Sequence, residues 1–215
     1  VVAHGSGTPP HGLEACRLGI QAVIKEFYEN EPFRDVPIQL EAAIQVANQV
    51  VHDYTWLNFE EPILGNSMVV AVVKGNEVTI ASIGGDAAGY LIRETNVQEL
   101  VPLERSSLPA DFLWFPLLGD NRTPLAVRTK STDPFPPNKL YFDLVSRVPL
   151  KRGDVLILTS DVTSIARPSW LGEPKILQLV KDLADRSAIP RHLARIASES
   201  WHHYIKVTVT AVWIP

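Results

Sequence analysis

The order of elements along the chain predicts an α+β fold: a four-layer α-β-β-α sandwich of two central antiparallel sheets flanked by helix pairs. Three observations carry this expectation. Two amphipathic stripes open the chain, apolar runs of strand length fill its middle, and a second pair of stripes precedes one last alternating run. The bulk composition suits one domain, since 215 residues with 46% apolar and 20% charged side chains are enough for a sizeable core.

The first stripe is Leu13, Cys16, Ile20, Val23, Ile24 and Phe27, spaced by threes and fours as one face of a helix requires. Cys16 is thereby a core residue. Leu40, Ala43, Ile44, Ala47, Val51 and Tyr54 form the second stripe, after Pro37, which a helix tolerates in its first turn. The pattern then changes. Met68 to Val73 and Val78 to Ile83 are apolar runs separated by Lys74-Gly75-Asn76-Glu77, the composition of a β-hairpin turn. Tyr90 to Ile92 is expected to extend this meander.

Between Pro102 and Asn138 seven prolines interrupt both the strand and the helix period, and a long surface excursion is expected. Leu140 to Val148 and Val155 to Leu158 read as strands joined at Lys151-Arg152-Gly153-Asp154. Two amphipathic helices follow, one with Ile176, Leu177, Val180 and Leu183, the other with Leu193, Ile196 and Ala197. Ile205 to Ile214 alternates as a closing strand. There is no internal repeat and no low-complexity segment.

Charge and composition exclude several classes. The net charge of -4 with scattered Lys and Arg argues against nucleic acid as a partner. No apolar run approaches the roughly 20 residues of a membrane-spanning helix, so no membrane association is expected. A single cysteine rules out an internal disulfide and suits a reducing compartment, so a cytoplasmic protein is expected.

Several strings, taken in order, resemble the metal-dependent protein phosphatases of the 2C type (the PPM family). Leu64-Gly65-Asn66-Ser67-Met68 resembles the Met-Gly-Thr-Thr segment that opens a central strand there, with Asn66 and Ser67 replacing the threonines. Ile83-Gly84-Gly85-Asp86 followed by Tyr90 is similar to that family's Val-Gly-Asp-Ser-Arg hairpin, with one residue inserted and the Arg become Ala. Leu150 through Ser160-Asp161 is similar to the stretch ending in Ser-Asp-Gly. The resemblance spans essentially residues 1–215, as a single domain that lacks the family's first strands. Such a sandwich is expected to leave an unpaired sheet edge and an exposed apolar patch, covered by upstream residues or by a second copy in a homodimer.

That family's chemistry uses two divalent cations and an attacking water, and hard cations require several carboxylates. The resemblance places His4 where the bridging Asp of an Asp-Gly-Met-Gly-Gly loop stands, with Gly5 beside it. It keeps Asp161 as a ligand and puts His203 where another ligand Asp stands. A carboxylate about 4 Å from a divalent ion is worth several kcal/mol even at an effective dielectric of roughly 20, so two imidazoles in place of two carboxylates abolish tight Mg²⁺ binding. The implied cofactor is therefore none, or else one ion such as Zn²⁺, Fe²⁺ or Mn²⁺ held by His4, Asp161 and His203. In the plainer reading both histidines are polar residues of a disused cleft.

Other features have structural readings as well as chemical ones. His4-Gly5-Ser6-Gly7-Thr8 could cradle a phosphate before a helix, but it lacks the Walker lysine and the dinucleotide fingerprint, and a loop from strand to helix explains it. Gly84-Gly85-Asp86 reads as a tight turn. Trp201-His202-His203-Tyr204 is either a ligand cluster or a packed helix cap. His52 and His192 lie in helical stretches as surface or satisfied residues, and Ser6 and Ser160 have no base at a fixed spacing.

Three function classes stand at this point. The first is a catalytically impaired 2C-type domain, a pseudophosphatase that serves as a regulatory module and binds a protein partner, including a phosphorylated one. The second is an active metal-dependent phosphoprotein phosphatase with an atypical site. The third is an unrelated ligand-binding sandwich.

Overall fold

The computed structural model describes residues 1–5, 11–29, 35–58, 65–84, 87–94, 96–101, 118–119, 125–130, 141–160, 186–200 and 208–215. Helix α1 runs His11–Glu29 and α2 runs Val36–Asn58, both slightly longer than their apolar stripes require. Ala15, Cys16, Gly19 and Val23 line the buried face of α1. Burial pushes the Cys16 thiol up to about 11, as befits a core residue. The buried face of α2 is Leu40, Ala43, Ile44, Ala47 and Val51.

Among the described residues, nine strands form two sheets. They are β1 (Val2–Gly5), β2 (Asn66–Lys74), β3 (Glu77–Ile83), β4 (Ala87–Arg93), β5 (Asn96–Val101), β6 (Ala126–Arg128), β7 (Tyr141–Pro149), β8 (Val155–Ser160) and β9 (Thr208–Trp213). The first sheet has the order β1-β2-β3-β7-β6 and the second β5-β4-β8-β9. All pairs are antiparallel except β6 with β7. A third helix, α3 (Ile189–Ser200), follows a short 3-10 turn.

Three apolar cores separate the layers, and strand alternation assigns each residue to one of them. Met68, Val70, Ala81, Ile83, Phe142 and Leu144 of the first sheet pack against α1 and α2. Their neighbours Val69, Val78 and Ile80 face the second sheet and meet Ala87, Leu91, Leu156 and Leu158. The other face of the second sheet, with Ala88, Tyr90, Val155 and Ile157, packs on Ile189 and Leu193 at the start of α3. The layers are thus helix pair, sheet, sheet and helix. The predicted helix with Ile176 and Leu183 lies outside the described residues.

Three expectations need correction. Strand β4 does not extend the β2–β3 meander: it pairs with β5 and β8 in the other sheet. The chain changes sheets directly after Gly84, whose φ of 82° makes the sharp exit, while the Ser82 hydroxyl donates to the Ala87 carbonyl across the crossing at 2.8 Å. Residues 102–138 are not wholly a surface excursion either. Leu118 and Leu125 are buried, and Leu118 exchanges two backbone hydrogen bonds with Asn66. The α2 amides do the stitching: Gln45 bonds both the N–H and the carbonyl of Leu125, and Asn48 accepts from the Gly119 N–H. Lastly, His4 and Gly5 belong to strand β1, opposite Ser67 and Asn66, rather than to a loop.

A second change of sheet, from β7 to β8, occurs at the opposite end of the sandwich. Arg93 clamps it, with Nε and Nη2 donating to the two carboxylate oxygens of Asp154 at 2.9 and 2.6 Å and Nη2 also reaching the Pro149 carbonyl. Asp154 accepts the Lys151 N–H as well. These bonds, that from Arg93 foremost, hold the Asp154 carboxyl below the usual carboxylate range. A lowered pKa in the folded state stabilises fully above the unfolded value near 3.9, and that stability is lost as pH falls through the folded value. Urea melts of the protein and of Asp154→Asn are therefore expected to differ by a constant amount above about pH 5, and the difference should shrink below about pH 4. A gap that does not depend on pH would exclude the carboxylate as its source.

Candidate functional site

The β3–β4 crossing brings the ends of six strands together. Because the link is short, the end of β3 and the start of β4 share one end of the sandwich, and register carries the other strands there. On the first sheet these are the last residues of β1 and the first of β2, with His4 opposite Ser67 and Gly5 opposite Asn66. On the second, Ser160 at the end of β8 lies between Ala87 and Thr208.

Alternation decides which of these side chains face the space between the sheets. Val2, Val69, Ile80 and Leu158 lie in the inter-sheet core, so His4, Ser67, Ser82 and Ser160, each two residues nearer this end of its strand, continue that face. An apolar core thus ends in a layer of one imidazole and three hydroxyls. Ser67, Ser82 and Ser160 are buried, and His4 is half-buried. Ser82 is engaged with Ala87, and the Ser160 hydroxyl accepts the Thr208 N–H at 3.2 Å. The Ser67 hydroxyl finds no hydrogen-bond partner among the described residues.

Small residues make this end possible. A Cβ on Gly5 would overlap the Gly12 carbonyl in the first turn of α1, so β1 can abut that helix only through a glycine. A Cβ on Gly84 would overlap the Ser67 hydroxyl. On the helix side, the Asn66 amide donates to the Ala15 carbonyl at 2.7 Å, tying β2 to α1.

Asp143, opposite Ser82 on the first sheet, is the carboxylate that the described residues bring to this face. It is already engaged. Arg128 Nε and Nη2 donate to its two oxygens at 2.6 and 3.0 Å, and both side chains are about 3% exposed. The guanidinium also lies 5.2 Å from the Tyr141 ring centroid. Burial pushes the Tyr141 hydroxyl up to about 12, with Arg128 opposing the rise and Asp143 adding to it.

Of the residues named from the sequence as metal positions, His4 and Gly5 lie at this end, while Asp161 and His203 lie outside the described residues. So do Ser6, Asp86 and the aromatic flank of His203. Among the described residues no group of three His, Cys, Asp or Glu side chains is placed to hold a metal. Among the described residues the polar groups at this end are an imidazole and neutral hydroxyls, which offset no charge, and the Asp143 carboxylate, which is paired with Arg128. Sequence reasoning missed Ser82, Arg128 and Asp143. The usable signal was a polar residue on the inward parity of an apolar strand, as in Ile80-Ala81-Ser82 and Phe142-Asp143-Leu144.

No family model matches the chain, and no curated protein matches it. Solved structures do. The catalytic domain of the serine/threonine phosphatase PstP, in complex with two manganese ions, superposes with a TM-score of 0.69 at 18% identity, over 99% of this chain and 86% of that one. The PPM Ser-Thr phosphatase MsPP of Mycobacterium smegmatis gives 0.68 at 19%, over 99% and 86%. PppA, a regulatory component of the type VI secretion system in Pseudomonas aeruginosa, gives 0.69 at 15%, over 99% and 84%. The chain has the fold of the 2C-type phosphatases, and its structural neighbours are PPM-family enzymes.

The packing at this end generates a ranking of glycine substitutions. Gly5→Ala is expected to cost about 1–3 kcal/mol or more, because the atom it meets is helix backbone that cannot swing away. Gly75→Ala, at φ 62° in the open β2–β3 turn with nothing near its Cβ, should cost about 1 kcal/mol from backbone strain alone. Urea denaturation of the two variants checks the order; an equal loss would remove the proposed contact between β1 and α1.

Proposed function

We propose that this chain is a 2C-type phosphatase-like domain that has lost the two-metal reaction and serves as a regulatory module, binding a phosphorylated protein partner in a reducing, cytoplasmic setting. The observation that carries this reading is the donor set at the polar end of the sandwich. A reaction that needs two hard cations needs several unspent carboxylates. The described residues supply His4, Ser67, Ser82 and Ser160, with Asp143 neutralised by Arg128. No helix of the described residues is long and apolar enough to cross a membrane, and Cys16 is buried, both of which agree with such a module.

One observation favours the second reading, an active enzyme with an atypical single-ion site. The buried Ser67 hydroxyl beside His4 lacks a hydrogen-bond partner among the described residues, and an orphaned polar atom of this kind can be satisfied by an ion or its water. In that reading His4 supplies one ligand, with Asp161 and His203 as the others.

A single assay separates the two. With para-nitrophenyl phosphate and millimolar Mn²⁺, the impaired module is expected to show no turnover above the buffer rate, and Asp161→Ala is expected to change nothing. Turnover that Asp161→Ala abolishes would establish the active reading in its place. Metal analysis of the purified protein complements the assay: the module is expected to be metal-free and fully folded, whereas one equivalent of Zn²⁺ or Fe²⁺, lost in His4→Ala, belongs to the enzyme.

A further inference from the structure

A cavity of about 300 Å³ opens at the far end of the first sheet, on the helix side, away from the polar cleft. Its floor is the end of the β2–β3 hairpin and its roof is the first turn of α2. Four charged side chains line it: Lys74, Glu77, Asp35 and Arg147.

The backbone beneath it is irregular in a directed way. Val78 pairs with Val148 and Ile80 with Val145, so two steps along β3 span three along β7, a bulge on the β7 side. Within that bulge Arg147 has φ 57°, a left-handed conformation that costs a non-glycine residue on the order of 1 kcal/mol. The bulge turns Arg147 toward α2, where Nη2 meets the Asp35 carboxylate at 2.6 Å. Thr79, at the bulge, is 4% exposed and lines the cavity.

The charges then sort themselves. Asp35 and Arg147 neutralise one another. The other lining residues that carry polar side chains include Lys74, Glu77 and Thr79, and Val36 and Pro37 of the first turn of α2 line it beside them. The Gln39 N–H of that turn is used by the Asp35 carbonyl. Lys74 and Glu77 are direct cross-strand partners, and such pairs sit about 5 Å apart. A dianionic phosphate would meet Glu77 at close range. A molecule with adjacent opposite charges meets both partners favourably, and about 300 Å³ lies at the small end of ligand cavities.

We propose that this cavity binds a free α-amino acid, its carboxylate seated against Lys74 and the first turn of α2, its ammonium against Glu77, and Thr79 hydrogen-bonded to either group. Bound there, the ligand bridges α2 to the β2–β3 hairpin and stiffens the helix pair against the sheet. The site is independent of the phosphatase-like cleft, so either proposal can fail without the other.

Thermal unfolding with each of the twenty amino acids at 10 mM tests it. At least one is expected to raise the Tm by about 5 °C where its concentration is about 100-fold above Kd. Lys74 and Glu77 are exposed hairpin residues, so Lys74→Ala and Glu77→Gln should fold normally and weaken that amino acid's Kd at least about tenfold by calorimetry. Its deaminated acid and its amide should each lose binding too, since each lacks one of the two charges. Arg152→Ala, on an exposed turn elsewhere, should bind as the parent does. No shift with any amino acid, a shift that persists in both charge variants, or equal binding of the deaminated acid would each overturn the proposal.

Discussion

Strands β2, β3, β4 and β8 are covered on both faces, and this double burial is the constraint on which the rest of the structure depends. A strand with one wet face can alternate apolar and polar residues. A strand between a helix layer and a second sheet cannot, and reads instead as a continuous apolar run. Met68-Val69-Val70 serves the helix side and the inter-sheet side in turn, and Leu156-Ile157-Leu158 does the same for the second sheet. Most of the buried polar side chains of these strands sit at strand ends, and on β7 Asp143 is buried where Arg128 meets it.

The two ends of the sandwich divide the work between them. At one end the chain crosses between sheets through Gly84, and the strands finish in His4, Ser67, Ser82 and Ser160. At the other the β7–β8 crossing is held by Arg93 and Asp154, while Leu150, Gly153 and Ile214 exchange backbone hydrogen bonds with their surroundings.

Both opening helices, the β2–β3 hairpin, β7, β8 and the closing strand were legible in the sequence because periodicity reports burial directly, and each of these elements buries a regular face. Leu40 and Ala43 announce a helix whatever packs against it. What could not be read was which sheet a strand joins. Tyr90-Leu91-Ile92 looks like the next strand of a meander, and only the left-handed turn at Gly84 and the Ser82–Ala87 bond send it into the other sheet. Short strands escaped for a related reason. Ala126–Arg128 is three residues in a proline-rich stretch, held by pairing with β7 and by Gln45 of α2 on the adjoining Leu125 rather than by its own pattern. At the candidate site, the Arg128–Asp143 pair joins residues on different strands that no local spacing connects.

The polar side chains described at this end are mutually consistent as physics. Carboxylates crowded into a partly buried space repel one another and resist ionisation, so a cluster of them is stable there only while cations hold it together. An imidazole and hydroxyls need no such counter-charge. Ser82 and Ser160 satisfy themselves on backbone groups, and Asp143 carries its own guanidinium within the fold. The described side chains at this end therefore need no counter-charge beyond Arg128, and the two sheets close over them on their apolar layers.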